Sequence, residues 1–334
     1  MSAAAGSRPR PLVAVTRDIP DAGLDIIREQ CELRLWEGEM PPTPAELDAL
    51  LDGADGVLTL LDDKITAAVL DAHAGIRVVS NYAVGYDNID VAAATERGVA
   101  VCNTPDVLND ATAEFSFALL MAAARRITEA KDYIKDGRWH TWGPRVLLGQ
   151  NVVGATLGIV GFGRIGRKLA HMASGFDMTL LVNARHEDPE AAATYNATYV
   201  PLDELLRRSD FVSLNVALTP ETHHMIGARE LALMKPTAVL VNAARGRVVD
   251  TDALLAALQN GTITAAGLDV SDPEPLPADH PLIHLPNCVI APHIASATVE
   301  ARTNMATMAA RNLVAVLNGT RPEAIINPAV LGAR

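Results

Sequence analysis

The chain has 334 residues, of which 49% are apolar, 20% charged and 4% aromatic, a balance typical of a globular protein of about two domains. Lys and Arg total 28 against 40 Asp and Glu, and the net charge of −12 argues against nucleic acid or an anionic membrane as a partner. The three cysteines, Cys31, Cys102 and Cys288, are scattered and odd in number, so we expect no disulfide framework and a reducing, cytoplasmic location.

The first hundred residues alternate short apolar strands with amphipathic helices, after an Ala-, Ser- and Pro-rich segment, Met1–Arg10, that we expect to be a flexible tail. The predicted strands are Leu12–Val15, Leu33–Trp36, Val57–Leu61, Val78–Ser80 and Val99–Cys102. The predicted helices are Ala22–Gln30, Pro44–Leu51 with Thr43 as N-cap, Ile65–His73 and Val91–Arg97. Strict alternation of this kind predicts a parallel sheet covered by helices on both faces.

A long helical stretch is predicted next, over about Thr112–Asp136, with Gly137 as its stop signal. It leads into a loop, residues 139–144, that holds two of the three tryptophans of the chain, Trp139 and Trp142. Because aromatic side chains are enriched where subunits meet, we expect this loop to lie at a subunit interface.

A second alternating series begins at Thr156 and again predicts a parallel sheet. Its predicted strands are Leu157–Val160, Thr179–Val182, Phe211–Val216, Val239–Asn242, Ala266–Val270 and Val289–Ala291. A final helix, Ala297–Leu317, follows this series, and the chain can return there to the first domain.

A glycine-rich turn, residues 161–166, lies between the first strand of the second series and an amphipathic helix. Gly161 permits the tight turn, Gly163 lets the backbone approach a pyrophosphate, and Gly166 lets the helix pack closely on the strand. The motif alone also fits a mere tight turn. With a strand before it and a helix after it, the motif favours a dinucleotide-binding site.

The end of the next strand bears on which dinucleotide binds. NAD sites usually carry an acid there, but here the strand runs into Asn183, Ala184, Arg185 and His186, and the first acid is Glu187. An arginine clamps a 2′-phosphate that an acid would repel. We therefore prefer NADP(H), with Arg185 as the phosphate contact. The alternative is that Arg185 is solvated and that the site takes NAD(H) without the acid.

Three ionisable residues, Arg245, Glu274 and His293, each follow a predicted strand of the second series. Ligands of open α/β sheets bind at the carboxyl ends of strands. A guanidinium can hold a carboxylate or a ketone oxygen, a carboxylate between two prolines is well fixed, and a histidine can donate a proton near neutral pH. Downstream of a nucleotide site, this trio predicts hydride transfer to a 2-keto acid, with packing or surface roles as the alternative. Arg247 is expected to be a solvated neighbour.

Other polar clusters carry weaker signals, and we predict no metal site. His280 and His284 have metal-like spacing but lie among prolines. The pair His223-His224 follows a turn and fits the surface or the rim of a cofactor site. Asp87 and Asp90 fit a turn with a helix cap.

Together these motifs resemble the D-isomer-specific 2-hydroxyacid dehydrogenases. The matching segments are residues 84–90, 161–166, 242–250, 267–275 and 292–294, which follow the family order over nearly the whole chain. Within the family, the chain is most similar to the glyoxylate/hydroxypyruvate reductases. That narrower match is carried by residues 104–108, 269–277 and 293–298 and by the basic end of the second strand.

The resemblance implies a fold of two doubly wound parallel-sheet domains. A flavodoxin-like substrate-binding domain would comprise residues 1–107 and 299–334, and a Rossmann dinucleotide-binding domain, residues 108–298, would be inserted in it. Family members are usually homodimers through the cofactor domain. The resemblance therefore implies that the Trp139–Trp142 loop meets a second subunit, where Trp142 would reach the substrate site of the partner and limit substrate size.

The resemblance also implies roles for individual residues. Backbone at Val84 and Gly85 would hold the substrate carboxylate beside Arg245, His293 would act as the general acid, and Glu274 would bond the other ring nitrogen of that histidine. The remaining implied substrate contacts are Ser296 and Trp142. The implied cofactor contacts are Gly161, Gly163, Arg164, Ile165, Gly166, Arg185, Ala217, Ala243, Asp269 and Ala295.

The predicted activity is therefore NADPH-dependent reduction of glyoxylate or hydroxypyruvate to the 2-hydroxy acid, and NAD(H) stays possible. Within the family, 2-ketogluconate, phosphoglycerate and phosphite dehydrogenases are alternatives, although the chain leaves no room for the regulatory domain of many phosphoglycerate dehydrogenases. A nucleotide-sensing binding module like the nuclear corepressors is an alternative from another class, disfavoured because those proteins carry a long disordered tail. The sequence leaves the physiological direction open.

Overall fold

The computed structural model describes residues 10–332, so nearly all of the predicted tail Met1–Arg10 lies outside the described residues. The chain divides into two compact units. The first unit comprises residues 1–108 and 298–334, and the second unit comprises residues 109–297. Each unit is built around one parallel sheet, so the α/β fold class is confirmed.

The strands and helices alternate along both units. In chain order the strands are β1 (Leu12–Val15), β2 (Glu32–Leu35), β3 (Gly56–Thr59), β4 (Val78–Asn81), β5 (Ala100–Cys102), β6 (Thr156–Val160), β7 (Thr179–Asn183), β8 (Ala197–Tyr199), β9 (Phe211–Leu214), β10 (Val239–Asn242), β11 (Ala265–Leu268) and β12 (Cys288–Ile290). The helices are α1 (Asp21–Gln30), α2 (Pro44–Leu51), α3 (Ala67–Ala72), α4 (Val91–Glu96), α5 (Asn109–Ala124), α6 (Ile127–Lys135), α7 (Arg164–Ser174), α8 (Pro189–Thr194), α9 (Leu202–Arg208), α10 (Ala228–Leu233), α11 (Thr251–Gln259) and α12 (Val299–Leu317).

The sheet of the first unit has the strand order β2-β1-β3-β4-β5, and every pair is parallel. Every residue of β3, β4 and β5 is buried, as expected for strands covered by helices on both faces. On one face, a cluster of apolar side chains includes Leu51, Val57 and Val101. The order is that of the flavodoxin-like doubly wound fold.

The sheet of the second unit has the order β12-β11-β10-β9-β6-β7-β8, again with parallel pairs throughout. From β6 the chain builds outward through β7 and β8, and then returns to the other side of β6 with β9. The strand order therefore reverses between β6 and β9. In open α/β sheets, ligands bind outside the carboxyl ends of the strands at such a reversal.

The predicted helical stretch over about Thr112–Asp136 is divided between two helices, α5 and α6. Arg126 separates them with a φ of 54°, a left-handed conformation that a right-handed helix does not accommodate. Its guanidinium bonds Glu129 through Nε and Nη2, each at 2.7 Å. The short strand β8 was also missed, whereas the N-cap of α2 is confirmed, because Thr43 forms a capping box with Glu46.

Helix α6 and the segment that follows it carry many exposed apolar side chains. None of the nine residues of α6 is buried. Trp139 and Trp142 keep 63% and 81% of their surface exposed. Ile127, Ile134 and Leu148 are exposed as well. We call residues 127–148 the arm of the second unit.

No helix in residues 10–332 combines the length and the apolar character that a membrane crossing requires.

Candidate active site

The glycine-rich turn follows β6, next to the reversal of the sheet. Gly161 has a φ of +96°, and a Cβ there would lie 2.6 Å from the backbone of Asn215, the residue after β9. A Cβ on Gly166 would lie 2.3 Å from the carbonyl oxygen of Gly161. Both positions therefore require glycine for the strand, the turn and the helix to pack as they do.

Gly163 differs from those two glycines, because a Cβ there would meet no heavy atom within 4 Å. It is the N-cap of α7 and has no side-chain capping bond. The first N–H groups of a helix have no acceptor within the helix, and they lie at its positive end. This arrangement fits the pyrophosphate of a dinucleotide, which these residues would hold through backbone N–H groups.

The predicted cofactor contacts all follow strands of the second unit at their carboxyl ends. Gly161, Gly163, Arg164, Ile165 and Gly166 follow β6, Arg185 follows β7, Ala217 follows β9, Ala243 follows β10, Asp269 follows β11 and Ala295 follows β12. Because the strands are parallel, these loops lie along one edge of the sheet.

Arg185, the predicted phosphate contact, lies in the loop after β7 with 66% of its side chain exposed. Its guanidinium forms an ion pair with Glu221, 3.8 Å away in the loop after β9. The sequence pattern did not reveal this partner, because Glu221 is separated from Arg185 by two strands along the chain.

Arg245 lies three residues after β10, in a loop fixed by its neighbours. The buried amide of Asn242 donates to the carbonyl of Arg245 at 2.9 Å and accepts from the N–H of Ala244 at 3.0 Å. A Cβ on Gly246 would lie 1.8 Å from the carbonyl oxygen of Ser271. The loop of Arg245 therefore packs directly on the loop after β11.

Glu274 and His293 lie together, although they follow different strands. The Nδ1 atom of His293 is 2.5 Å from Oε1 of Glu274, and the carboxylate accepts this hydrogen bond. The two side chains keep 30% and 38% of their surface exposed, so the pair is partly open. With Nδ1 bound, Nε2 is the ring nitrogen that can face a substrate.

Asp269 fixes the backbone that carries His293. The N–H of His293 donates to the carbonyl of Asp269, and the N–H groups of Ile294 and Ala295 donate to its carboxylate, all at 2.8 Å. His293 itself has a left-handed φ of 55°. Burial raises the pKa of the Asp269 carboxyl, and the two backbone N–H bonds act against that rise. This contact was missed by the sequence interpretation, which placed Asp269 only beside the cofactor.

Arg247 is exposed, as expected, but it is not merely solvated. Its Nε lies 3.4 Å from Oδ1 of Asp272, and the hydroxyl of Thr251 donates to the carbonyl of Asp272 at 2.9 Å. His224 lies 4.0 Å from the same carboxylate. The Arg247–Asp272 contact joins the loops after β10 and β11 outside the trio.

The weaker histidine candidates His280 and His223 contact neighbouring residues of the chain. The ring of His280 accepts a hydrogen bond from the N–H of Leu282 at 3.3 Å. His223 stacks on His224 with ring centroids 4.0 Å apart. Within residues 10–332, His, Cys, Asp and Glu form no group of three or more that would hold a metal ion.

The other predicted substrate contacts lie apart from this pair in the chain. Val84 and Gly85 follow β4 in the first unit, where the amides of Asn103 and Asn81 donate to their carbonyls at 2.9 and 2.7 Å. Ser296 lies after β12 and is half-buried. Trp142 belongs to the exposed arm.

The chain is similar to known proteins over nearly its whole length. The family model for the NAD-binding domain of D-isomer specific 2-hydroxyacid dehydrogenases matches residues 117–295. The glyoxylate reductase of Korarchaeum cryptofilum is 51% identical over 328 residues, which cover 97% of this chain and 98% of that protein. The glyoxylate reductase of Thermococcus onnurineus is 48% identical, with 97% and 98% covered.

Solved structures are similar over the same extent. A protein from Thermus thermophilus superposes with a TM-score of 0.89 at 45% identity, covering 94% of this chain and 99% of that one. The NADPH-dependent glyoxylate/hydroxypyruvate reductase from Sinorhizobium meliloti, in complex with NADP and malonate, gives a TM-score of 0.85 at 32% identity, with 95% and 97% covered. The chain therefore belongs to the D-isomer specific 2-hydroxyacid dehydrogenase family and is an NAD(P)-dependent dehydrogenase.

Proposed function

We propose that this protein reduces a small 2-keto acid, glyoxylate or hydroxypyruvate, to the 2-hydroxy acid. The observation that carries the proposal is the His293–Glu274 hydrogen bond of 2.5 Å at the strand edge that also bears the glycine turn. Relatives that cover nearly the whole chain at about half identity are glyoxylate reductases. The relative from Sinorhizobium meliloti acts on glyoxylate and hydroxypyruvate.

In this proposal, the trio acts on the carbonyl and the carboxylate of the substrate. His293 gives its Nε2 proton to the carbonyl oxygen, while the Glu274 carboxylate orients the ring and balances the positive charge of the imidazolium. Arg245 holds the substrate carboxylate and polarises the carbonyl. The nicotinamide, when bound, supplies the hydride that completes the reduction.

The other substrate contacts in the proposal come from backbone and from small groups. The N–H groups of Val84 and Gly85 would bind the substrate carboxylate, and Ser296 would lie near the reacting carbonyl. Support for the first contact is that the carbonyls of both residues are already fixed by asparagine side chains, which holds this loop in one conformation.

We propose NADP(H) as the preferred cofactor, with Arg185 contacting the 2′-phosphate. The support is that β7 ends without an acid and that the Arg185 guanidinium is exposed at the edge of the sheet that also bears the glycine turn. The Sinorhizobium meliloti structure contains NADP and is described as NADPH-dependent.

We also propose a homodimer formed through the arm, in which Trp142 reaches the substrate site of the partner. Exposed tryptophans and isoleucines in one continuous segment support this assembly. A reducing, cytoplasmic location is proposed because Cys31, Cys102 and Cys288 are buried free thiols.

The His293→Ala substitution tests the proton donor. We expect kcat for glyoxylate reduction to fall by about 10²- to 10⁴-fold, because general acid catalysis contributes in this range. The Kd for NADPH, measured by fluorescence titration, should stay within about twofold. His284→Ala, which changes an exposed histidine outside the trio, is the matched control and should leave kcat unchanged. Normal turnover by the His293 variant would overturn the assignment.

The substrate and the cofactor are tested together by following nicotinamide absorbance. NADPH and NADH are each combined with glyoxylate, hydroxypyruvate, pyruvate and 2-ketogluconate. The proposal requires that the highest kcat/KM be found with NADPH and either glyoxylate or hydroxypyruvate. A higher kcat/KM with 2-ketogluconate would move the protein to another activity of the same family.

A further inference from the structure

The ion pair between Arg185 and Glu221 joins two loops that flank the glycine turn. The sheet order β9-β6-β7 places the loop after β9 on one side of the turn and the loop after β7 on the other. Glu221 belongs to the first loop and Arg185 to the second, and their charged groups are 3.8 Å apart. The end of β7 carries no acid, but the loop after β9 places a carboxylate beside Arg185.

Glu221 is held in place by the turn in which it lies. The hydroxyl of Thr222 donates to the carbonyl of Ala217 at 2.7 Å, and the N–H of Thr219 donates to that hydroxyl at 2.8 Å. A hydrogen bond with Thr219, and more weakly the charge of Arg185, keep the pKa of the Glu221 carboxyl below its ordinary value. Glu221 is therefore an ionised carboxylate at neutral pH, carried by a turn whose backbone is held by these bonds.

A carboxylate at this position opposes the binding of a phosphate to Arg185. The guanidinium attracts a 2′-phosphate, but the phosphate must approach within a few ångströms of the Glu221 charge or displace it from the arginine. NADH carries a neutral ribose diol at the same place and meets no such repulsion. The two groups thus act in opposite directions on the discrimination between the cofactors.

We propose that Glu221 is a specificity-determining residue that weakens NADPH binding through Arg185 and so keeps NADH usable by the same site. The inference rests on the proposed nicotinamide-dependent function and deepens its cofactor assignment. In this proposal Arg185 attracts the 2′-phosphate and Glu221 opposes its binding, so the two residues together set the preference between NADPH and NADH.

Substitution of either residue should leave the fold intact. Both side chains are about two thirds exposed, 66% for Arg185 and 71% for Glu221, and exposed ion pairs contribute little to stability. A change in cofactor affinity can therefore be attributed to the site and not to unfolding, and the melting temperature of each variant checks this.

The experiment measures Kd for NADPH and for NADH by fluorescence titration in the full-length protein. We expect Glu221→Gln to lower the Kd for NADPH by about three- to tenfold, because no carboxylate then competes with the phosphate for the Arg185 guanidinium. The Kd for NADH should change less than about twofold. Glu187→Gln is the matched control, since it removes an acid from the loop of Arg185 that forms no ion pair with it among the described residues.

Arg185→Ala supplies the second arm of the test. Glu221→Gln introduced into Arg185→Ala should no longer improve NADPH binding severalfold, because the proposed effect acts through the guanidinium. An unchanged ratio of the two Kd values in Glu221→Gln would overturn the inference. A weakened NADH affinity would also overturn it, since Glu221 would then bind the ribose diol.

Binding titration separates this inference from the proposed function. If glyoxylate is not reduced but Glu221→Gln shifts the ratio of Kd values, the proposed substrate fails and the inference stands. If glyoxylate is reduced and the ratio does not shift, the inference alone fails. If neither nucleotide binds the unmodified protein, both are wrong.

Discussion

At the scale of single residues, His293 is fixed through its backbone and through its ring by different partners. Asp269 holds the backbone with three hydrogen bonds of 2.8 Å, and Glu274 holds Nδ1 at 2.5 Å. The left-handed φ of 55° at His293 is uncommon for a residue with a side chain. These bonds hold the ring of His293 in one orientation, as the proton donor of the proposed reaction requires.

Glu274→Gln tests the carboxylate separately from the histidine. The amide can still accept a hydrogen bond from Nδ1, but it carries no charge to balance the imidazolium. We expect kcat to fall by about 100-fold or more with little change in the Kd for NADPH.

The control for that substitution is Asp279→Asn, which neutralises an exposed acid between the same two strands. It should leave kcat unchanged. If Glu274→Gln changed KM alone and left kcat where it was, the carboxylate would be a substrate contact and not the partner of His293.

Sequence reasoning found some of these residues and not others for a physical reason. Arg245, Glu274 and His293 were identifiable because each is a charged or ionisable side chain shortly after an apolar strand. Asp269 was visible by the same signal, but its three backbone bonds were not, because they depend on how two loops fold onto each other. Glu221 does not come shortly after a strand, so the sequence pattern did not mark it. Its position beside Arg185 depends on the order of the strands in the sheet.

At the scale of elements, the loops after β10 and β11 act as one structure. Gly246 touches the backbone of Ser271, Arg247 pairs with Asp272, and Thr251 bonds the carbonyl of Asp272. The first loop carries Arg245 and the second carries Glu274. The spacing of two trio members therefore depends on contacts made outside the trio.

Gly246→Ala tests this dependence, because the added methyl group would lie 1.8 Å from the carbonyl oxygen of Ser271. One of the loops must move, and we expect the free energy of unfolding to drop by about 1–3 kcal/mol with a loss of kcat. Chemical denaturation and steady-state kinetics measure the two effects. Gly332→Ala, where a Cβ meets nothing within 4 Å, is the control. A variant with unchanged stability would show that the loops are not in contact.

The elements themselves were predicted where periodicity was strong. β1 and β10 have the predicted ends. Helix α2 also has the predicted ends, and its start is marked by Thr43 and Pro44. The break between α5 and α6 was missed because Arg125 and Arg126 are good helix formers, and the left-handed turn at Arg126 is stabilised by its bonds to Glu129 and to the carbonyl of Leu148. Contacts between distant segments thus override the local preference.

At the scale of the whole molecule, the two sheets follow different strand orders from similar alternating sequences. The first unit has the order β2-β1-β3-β4-β5, and the second reverses between β6 and β9. Alternation alone predicts parallel sheets but leaves their order open, so the resemblance to a family was needed to predict both folds. The arm adds a feature that neither sheet explains, because its apolar side chains lie on the surface of its own unit.

The molar mass in solution tests the proposed homodimer. If the arm forms a homodimer, light scattering should give about twice the chain mass of 35.4 kDa. Trp139→Asp places a charge among the exposed apolar groups of the arm and should shift the mass toward one chain, because burying an unpaired charge at an interface is strongly unfavourable. Met40→Asp, at a 70% exposed apolar residue of the first unit, should not change the mass. A single-chain mass for the unmodified protein, or a dimer that Trp139→Asp leaves intact, would place the interface elsewhere.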